Sequence, residues 1–261
     1  MKVDAIVLAG APNSGKLNSV SSEEFEAMIP VNGKPMVNYV IETLQSSDRI
    51  ENIVVVGPQK MLHRLPPGIQ LVQSGETLTD NIFRGLEVLE QKNMVMLITS
   101  DIPFIHKEAI EDFLDRCAEL ESDIYYPIIS REANEKEYPE TVRTYVTLRE
   151  GTFTGGNILL ATPKALSQSK KIMEQVFLMR KKPWKLARLF GTMFVIKFFL
   201  RQLSLGELEK RASKILGFTG VAIISPYPEI GTDIDKPSDL ELAERVMSVN
   251  GSKEAQNAAR S

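Results

Sequence analysis

A single cysteine, Cys117, stands in a chain of 261 residues. It excludes an intramolecular disulfide and a cysteine-built zinc site, and it points to a reducing cytoplasm. Histidine is nearly as scarce. His63 and His106 are isolated, with no metal-spaced partner and no nucleophile nearby, so surface roles are expected for both. There is no excess of positive charge either: 31 Lys and Arg face 34 Asp and Glu, for a net charge of −3. Such a chain has no global attraction for nucleic acid, and an anionic ligand must be held by local groups. Long apolar runs are also missing. The longest, residues 189–200, is broken by Gly191 and Lys197 and falls short of the roughly 20 residues that span a bilayer. The N-terminal apolar run is too short for a signal segment. No repeat or low-complexity tract appears, and residues 248–261 read as a flexible polar tail.

What is present suits one α/β domain over residues 1–247: the chain is 43% hydrophobic and 25% charged, enough to bury a sizeable core. Short continuous apolar runs at 3–8, 53–56, 94–98, 158–160 and 221–224 read as buried parallel strands. Between them, residues 36–44, 79–89 and 107–120 carry apolar side chains at three- and four-residue spacing, so strand and helix alternate as in βαβ units. The expected fold is a three-layer, mostly parallel sheet with helices on both faces. Ligands of such sheets sit beyond the carboxyl ends of the strands, where Gly10, Gly57 and Asp101 fall. Residues 163–217 break the rhythm as a helical insertion, with a capping-box start at Ser204 and Glu207 and a stop at Gly217. The insertion carries a basic cluster, Arg180, Lys181, Lys182, Lys185, Arg188, Lys197 and Arg201, beside Trp184, Phe198 and Phe199. It reads as a lid over an anionic acceptor, a peripheral membrane contact over 180–201, or a solvated face.

Gly10-Ala11-Pro12-Asn13-Ser14-Gly15-Lys16 has P-loop spacing directly after a strand. Leu17 stands where a P-loop needs a hydroxyl for Mg²⁺, and a poor helix start follows. A glycine-rich turn at this point still suits phosphates, with backbone N–H groups facing them and Lys16 neutralising charge. Thr99-Ser100-Asp101-Ile102-Pro103 sets a carboxylate at the end of a buried strand, and Gly231-Thr232-Asp233-Ile234-Asp235-Lys236-Pro237-Ser238-Asp239 supplies further acids near the C-terminus. Magnesium is satisfied by one or two carboxylates with phosphate oxygens and water.

Leu8-Ala9-Gly10 together with Ile29-Pro30-Val31-Asn32-Gly33-Lys34-Pro35-Met36 resembles the opening of the MobA-like NTP transferases of the GT-A-type nucleotidyltransferase superfamily. Two departures stand out. Ala11 replaces the second glycine, and Phe25-Glu26 occupies the place of a Pro-Lys pair whose lysine contacts triphosphate, so that role does not carry over. Lys34 either serves the triphosphate instead or is a surface lysine. The resemblance implies Mg²⁺ ligands at Asp101 and Asp235. It implies a nucleotide site at Leu8, Ala9, Gly10, Gly15, Lys16, Gly75, Thr79 and Asn81, and an acceptor site at Gly155, Gly156 and Asn157. Asp239 is better read as a charge in the first turn of a helix.

The implied activity is Mg²⁺-dependent transfer of a nucleotidyl group from an NTP to a small phosphorylated acceptor, with Lys16, Lys34 and Asp101 as the catalytic residues. The rivals are a nucleotide-binding regulatory protein without turnover, suggested by Glu26, and a GT-A glycosyltransferase, disfavoured because Asp101 lies in D-x-P rather than a DxD pair.

Overall fold

The structure, a computed structural model, describes residues 1–90, 92–179 and 191–258. In chain order the strands are β1 (Val3–Leu8), β2 (Pro30–Val31), β3 (Lys34–Pro35), β4 (Ile50–Gly57), β5 (Gln70–Gln73), β6 (Met94–Thr99), β7 (Ile124–Ser130), β8 (Val146–Leu148), β9 (Gly151–Gly155), β10 (Ile158–Ala161) and β11 (Gly220–Ser225). The helices are α1 (Met36–Gln45), α2 (Leu78–Glu87), α3 (Lys107–Ala118), α4 (Arg131–Glu137), α5 (Pro163–Gln168), α6 (Lys170–Met179), α7 (Thr192–Phe199), α8 (Leu205–Leu216) and α9 (Pro237–Ala258).

Nine strands form one mixed sheet in the order β5-β4-β1-β6-β10-β7-β9-β8, with β11 beside β7. Its first half is parallel: Ile6 of β1 lies between Val54 of β4 and Leu97 of β6. Strands buried on both faces need apolar residues at nearly every position, which is why these segments read as apolar runs; the buried Asp4 of β1 is the exception, accepting a bond from Asn52 Nδ2 at 2.6 Å. One face packs on α1 and α3, with Val37, Val40, Ile41, Ile110 and Phe113 fully buried against Val7 and Met96. Burying each such side chain is worth about 1.5–3 kcal/mol. On the other face α2 sets Ile82 and Leu86 on Ile6 and Val56. It does so at close range, since a Cβ on Gly85 would lie 2.8 Å from the Ile6 side chain.

The sequence reading takes residues 158–160 as a parallel strand, and the structure corrects it. Strand β10 is antiparallel to both neighbours, with Ile158 opposite Ile98 and Leu160 opposite Tyr125. No crossover helix precedes it. The chain arrives from the β8–β9 hairpin through Gly156 and Asn157, which turns its amino end toward the carboxyl end of β6. Strand β11 is parallel to β7, as the run at 221–224 suggests.

The short hairpin β2–β3 turns through Asn32 (φ 49°) and Gly33 (φ 81°), the left-handed pair that a tight two-residue turn requires. The insertion is helical where described. Ser204 and Glu207 form the expected capping box, and Gly217 closes α8 in the left-handed conformation at φ 78°. Residues 180–190, with Arg180, Lys181, Lys182, Trp184, Lys185 and Arg188, lie outside the described residues. Helix α9 continues to Ala258, into the segment read as a tail. No helix among the described residues is long and apolar enough to cross a membrane.

Candidate active site

Two cavities have the acidic residues Asp101, Asp233 and Asp235 in their walls. The larger, about 470 Å³, is lined by Leu8, Gly10, Ala11, Pro12 and Glu26 on one side, Gly75, Thr77, Leu78 and Asn81 on another, and Thr99, Ser100 and Asp101 at the end of β6. The smaller, about 160 Å³, is lined by Lys16, Thr141, Arg143, Asp233, Asp235, Lys236 and Asp239.

The loop after β1 is held open by fixed contacts. Ala9 donates its amide to the Val56 carbonyl at 2.8 Å, Asn13 donates to the Glu24 carbonyl at 2.8 Å, and Glu26 donates to the Ala11 carbonyl at 3.1 Å. The Asn13 side chain adds bonds to the carbonyls of Ser21 and Glu23 at 3.1 and 2.9 Å. Opposite, Thr77 caps α2 in a reciprocal box with Asp80, and the Gly75 amide donates to Asn81 Oδ1 at 2.7 Å. Gly10 is required here: a Cβ on it would lie 2.9 Å from both Asn81 Nδ2 and the Ser74 side chain. Of the expected nucleotide residues, Leu8, Gly10, Gly75 and Asn81 line the larger cavity, and Lys16 the smaller. Ala9 is buried beneath, and Gly15 lies against the Glu26 carboxylate, 3.2 Å from the place of its Cβ. Thr79 is buried within α2 and does not line the cavity; the hydroxyl-bearing residues that do are Thr77, Thr99 and Ser100.

Lys34 is not brought to the site. Its ammonium bonds Glu42 of α1 at 2.5 Å and lies 3.9 Å from the centre of the Tyr39 ring, so it is spent on the helix it precedes, as the surface alternative has it.

Asp101, Asp233 and Asp235 converge, each offering a carboxylate oxygen within 4.8 Å of the others. The Ile234 amide donates to the Asp101 carbonyl at 2.9 Å and fixes the two segments together. One Asp101 oxygen is buried without a hydrogen-bond partner. Burial raises the Asp101 pKa, and Asp235 adds to the rise. Glu26 is raised too, by burial first and then by Asp101 and Asp235, so it faces the same cluster. Hard oxygen donors and an orphaned carboxylate oxygen fit a hard divalent cation such as Mg²⁺. Asp239 does not join them. Its carboxylate accepts from the Asp235 amide at 3.2 Å as a first-turn cap of α9.

The sequence reading missed two residues. Asp233 is paired with Arg143, whose side chain is only 13% exposed. Asp233 stands within a quoted motif. Arg143 sits in a polar stretch with neither apolar period nor glycine signature, and nothing local marks it.

Gly155, Gly156 and Asn157 pass between the end of β6 and the 230s. Thr99 donates to the Asn157 carbonyl at 3.1 Å, and Asn157 donates to Ile230 at 2.8 Å. Gly156 is hemmed in, since its Cβ would lie 2.8 Å from Pro127 and 2.9 Å from Ile230. Gly155 also borders an apolar cavity of about 360 Å³ between α8 and the sheet, lined by Tyr126, Phe153 and Leu208 among others.

The profile of the MobA-like NTP transferase domain matches residues 5–186. The chain is 26% identical over 119 residues to a 2-C-methyl-D-erythritol 4-phosphate cytidylyltransferase of Clostridium botulinum, covering 42% of this chain and 51% of that one. It is 29% identical over 130 residues to the enzyme of the same name from Neorickettsia sennetsu, 44% of this chain and 55% of that one. The chain therefore spans about half the length of the curated relatives it matches. A structure described as a hypothetical transferase from Thermus thermophilus superposes with a TM-score of 0.81 at 37% identity, over 92% of this chain and 100% of that one. A CMP:2-keto-3-deoxy-manno-octonic acid synthetase complexed with CTP shares the fold, with a TM-score of 0.61 at 13% identity over 96% of this chain and 100% of that one. A glycine-rich loop after the first strand and converging aspartates from the middle and the C-terminal part of the chain accompany these likenesses, and the chain belongs to the MobA-like NTP transferase domain family, a family of nucleotidyltransferases.

Proposed function

We propose that this chain transfers a nucleotidyl group from an NTP to a phosphorylated acceptor. An acceptor phosphate oxygen attacks the α-phosphorus, the bond from that phosphorus to the bridging oxygen breaks, and pyrophosphate leaves with the electron pair. The reaction needs no protein nucleophile, so the protein contributes alignment and charge. The larger cavity suits the nucleoside: the Asn81 amide NH₂ offers a donor to a base edge beside a wall that includes Gly10 and Gly75. Asp101 and Asp235, with Asp233 beside them, would hold Mg²⁺, which when bound supplies charge neutralisation at the reacting phosphates. Lys16 lines the same cavity as Asp233 and Asp235 and would steady the leaving pyrophosphate. The acceptor then belongs on the side of Gly156 and Asn157.

The observation that carries this reading is the convergence of Asp101 and Asp235 at the open end of a glycine-rich loop. Relatives are named for a polyol phosphate acceptor and for CTP, which makes CTP with small sugar and polyol phosphates the first pairs to try. An NTP-by-acceptor screen that reads pyrophosphate release, with and without Mg²⁺, tests it. Release with at least one pair, dependent on the metal, is expected. Nucleotide binding without release from any pair would favour the second reading, a regulatory nucleotide binder, for which Glu26 at the usual lysine position is the specific argument.

A further inference from the structure

Arg143 stands in the wall of the smaller cavity, with Lys16, Asp233 and Asp235. Arg143 reaches the carboxylate cluster from the loop between α4 and β8, and that loop is anchored on both sides of it. The fully buried Asn134 donates from Nδ2 to Thr141 Oγ1 at 3.0 Å and to Tyr145 Oη at 3.1 Å. The guanidinium is thus delivered by a fixed frame. Only one of its nitrogens, Nη1, is used, on Asp233. Nε and Nη2 are buried without a partner. A buried donor left unmade costs about 1–3 kcal/mol, and Nε with Nη2 form the edge of the fork that grips two oxygens of a phosphate or carboxylate. Lys16 and Lys236 share its cavity, and Lys236 is engaged with Asp239 at 3.7 Å.

The geometry points to Arg143 as a phosphate clamp with two positions: paired with Asp233 when the carboxylate cluster holds no cation, and turned to the β- and γ-phosphates, beside Lys16, when a divalent cation takes Asp233 with Asp101 and Asp235. This rests on the nucleotidyl-transfer reading and deepens it. The two cavities are lined by six carboxylates, Glu26, Glu76, Asp101, Asp233, Asp235 and Asp239, against the three cations Lys16, Arg143 and Lys236, so the free site repels a phosphate chain. A cation reverses that field and frees the guanidinium in one event, which makes binding ordered, cation before nucleotide.

Arg143→Gln separates this from a structural role because its two effects have opposite signs. Mn²⁺ binding to the free protein, followed by electron paramagnetic resonance, is expected to tighten, since a competing positive charge is gone. Pyrophosphate binding in the presence of Mn²⁺, followed by calorimetry, is expected to weaken about 10- to 100-fold, the range for a charge-assisted hydrogen-bonded group. Arg143→Lys should return Mn²⁺ affinity toward that of the parent while leaving pyrophosphate weakened, because it restores charge without the fork. If Arg143→Gln does not fold, Asp233→Asn gives the complementary test: it frees the guanidinium, so pyrophosphate should bind without any cation more tightly than to the parent. Both affinities falling together in Arg143→Gln, or neither changing, overturns the clamp. So does an Asp233→Asn protein that gains nothing for pyrophosphate. A parent protein that binds Mn²⁺ but neither pyrophosphate nor NTP overturns the nucleotidyl-transfer reading itself, an outcome distinct from failure of the clamp alone.

Discussion

Asp101 carries a carboxylate where burial disfavours charge, and one of its oxygens has nothing to bond. Replacing it with the isosteric Asn removes charge without opening a void. Asp101→Asn is therefore expected to lower Mg²⁺-dependent turnover at least about 100-fold, the scale of losing one group aimed at reacting charge, with the melting temperature unchanged or raised; an active, well-folded variant would remove Asp101 from the chemistry. Cys117 gives a second test at this scale. Burial pushes its thiol up to about 12, against the opposing charge of Arg49. Almost no thiolate forms at neutral pH, and thiolate is the reactive species. A disulfide reagent should label it only as fast as the protein opens, and labelling without a denaturant-dependent lag would contradict the burial. Asp101 and Asp235 were legible because each sits in a local pattern, D-x-P or D-x-D before a proline. Arg143 was not. Its role comes from the loop frame set by Asn134 and from a carboxylate far along the chain, and neither is a property of its neighbours in sequence.

Helices were more legible than strands. The three helices read at 36–44, 79–89 and 107–120 appear as Met36–Gln45, Leu78–Glu87 and Lys107–Ala118, because amphipathic spacing is a local signal. Strand direction is not local: the run at 158–160 looks alike in either orientation, and only the preceding β8–β9 hairpin decides it. That hairpin and β7 went unread, their alternation blurred by Pro127 and by three glycines in 151–156. The cap of α8 was legible, and it offers a test. Ser204→Ala should cost about 1 kcal/mol, a fall of about 2–4 °C in melting temperature for a domain of this size. Its partner Glu207 is held at about 2, first by Lys197 and then by the Ser204 amide. That pKa lies below the unfolded value, so the stabilisation is present above the ordinary glutamate pKa and is lost as pH falls from there toward 2. Glu207→Gln should flatten stability in that acid window, and an unchanged pH profile would contradict the pairing. On the proposed acceptor side, Gly155→Ala places a Cβ 2.3 Å from Tyr126 Oη and so breaks the 2.9 Å bond from that hydroxyl to the Gly156 carbonyl. The expected result is a raised KM for acceptor with KM for NTP nearly unchanged; equal rises would place these glycines away from the acceptor.

At the scale of the whole molecule, ligand binding and stability are linked. A ligand at 100 times its dissociation constant adds about 2.7 kcal/mol to the folded state. NTP with Mg²⁺ should raise the melting temperature by several degrees, while NTP with a chelator should do little because the site is then acidic. The pH dependence follows from Asp101 and Glu26, whose folded pKa values are raised. Their contribution to stability is fully present below the unfolded carboxylate pKa and is lost as pH rises through the raised folded values. A divalent cation offsets that loss, so its stabilising shift should grow with pH across this range; a shift that is flat or shrinks with pH would mean the cation binds elsewhere. The three-layer architecture was legible from alternation alone, but its mixed polarity was not, because pairing across the middle of the sheet depends on the order in which segments return to it.

Asp101 reaches its partners only through the segment that ends at Asp235, and the Ile234 amide is the stitch between them. On the ribosome, strands β1 to β10 emerge and can begin to assemble long before that stitch exists. A chain stopped after β10 but before Asp233 would carry the larger cavity and Asp101 without Asp233 or Asp235, and Arg143 without its counter-ion. Completion of the carboxylate cluster thereby waits for residues 233–235, and a product truncated before them is expected to lack the proposed cation site altogether.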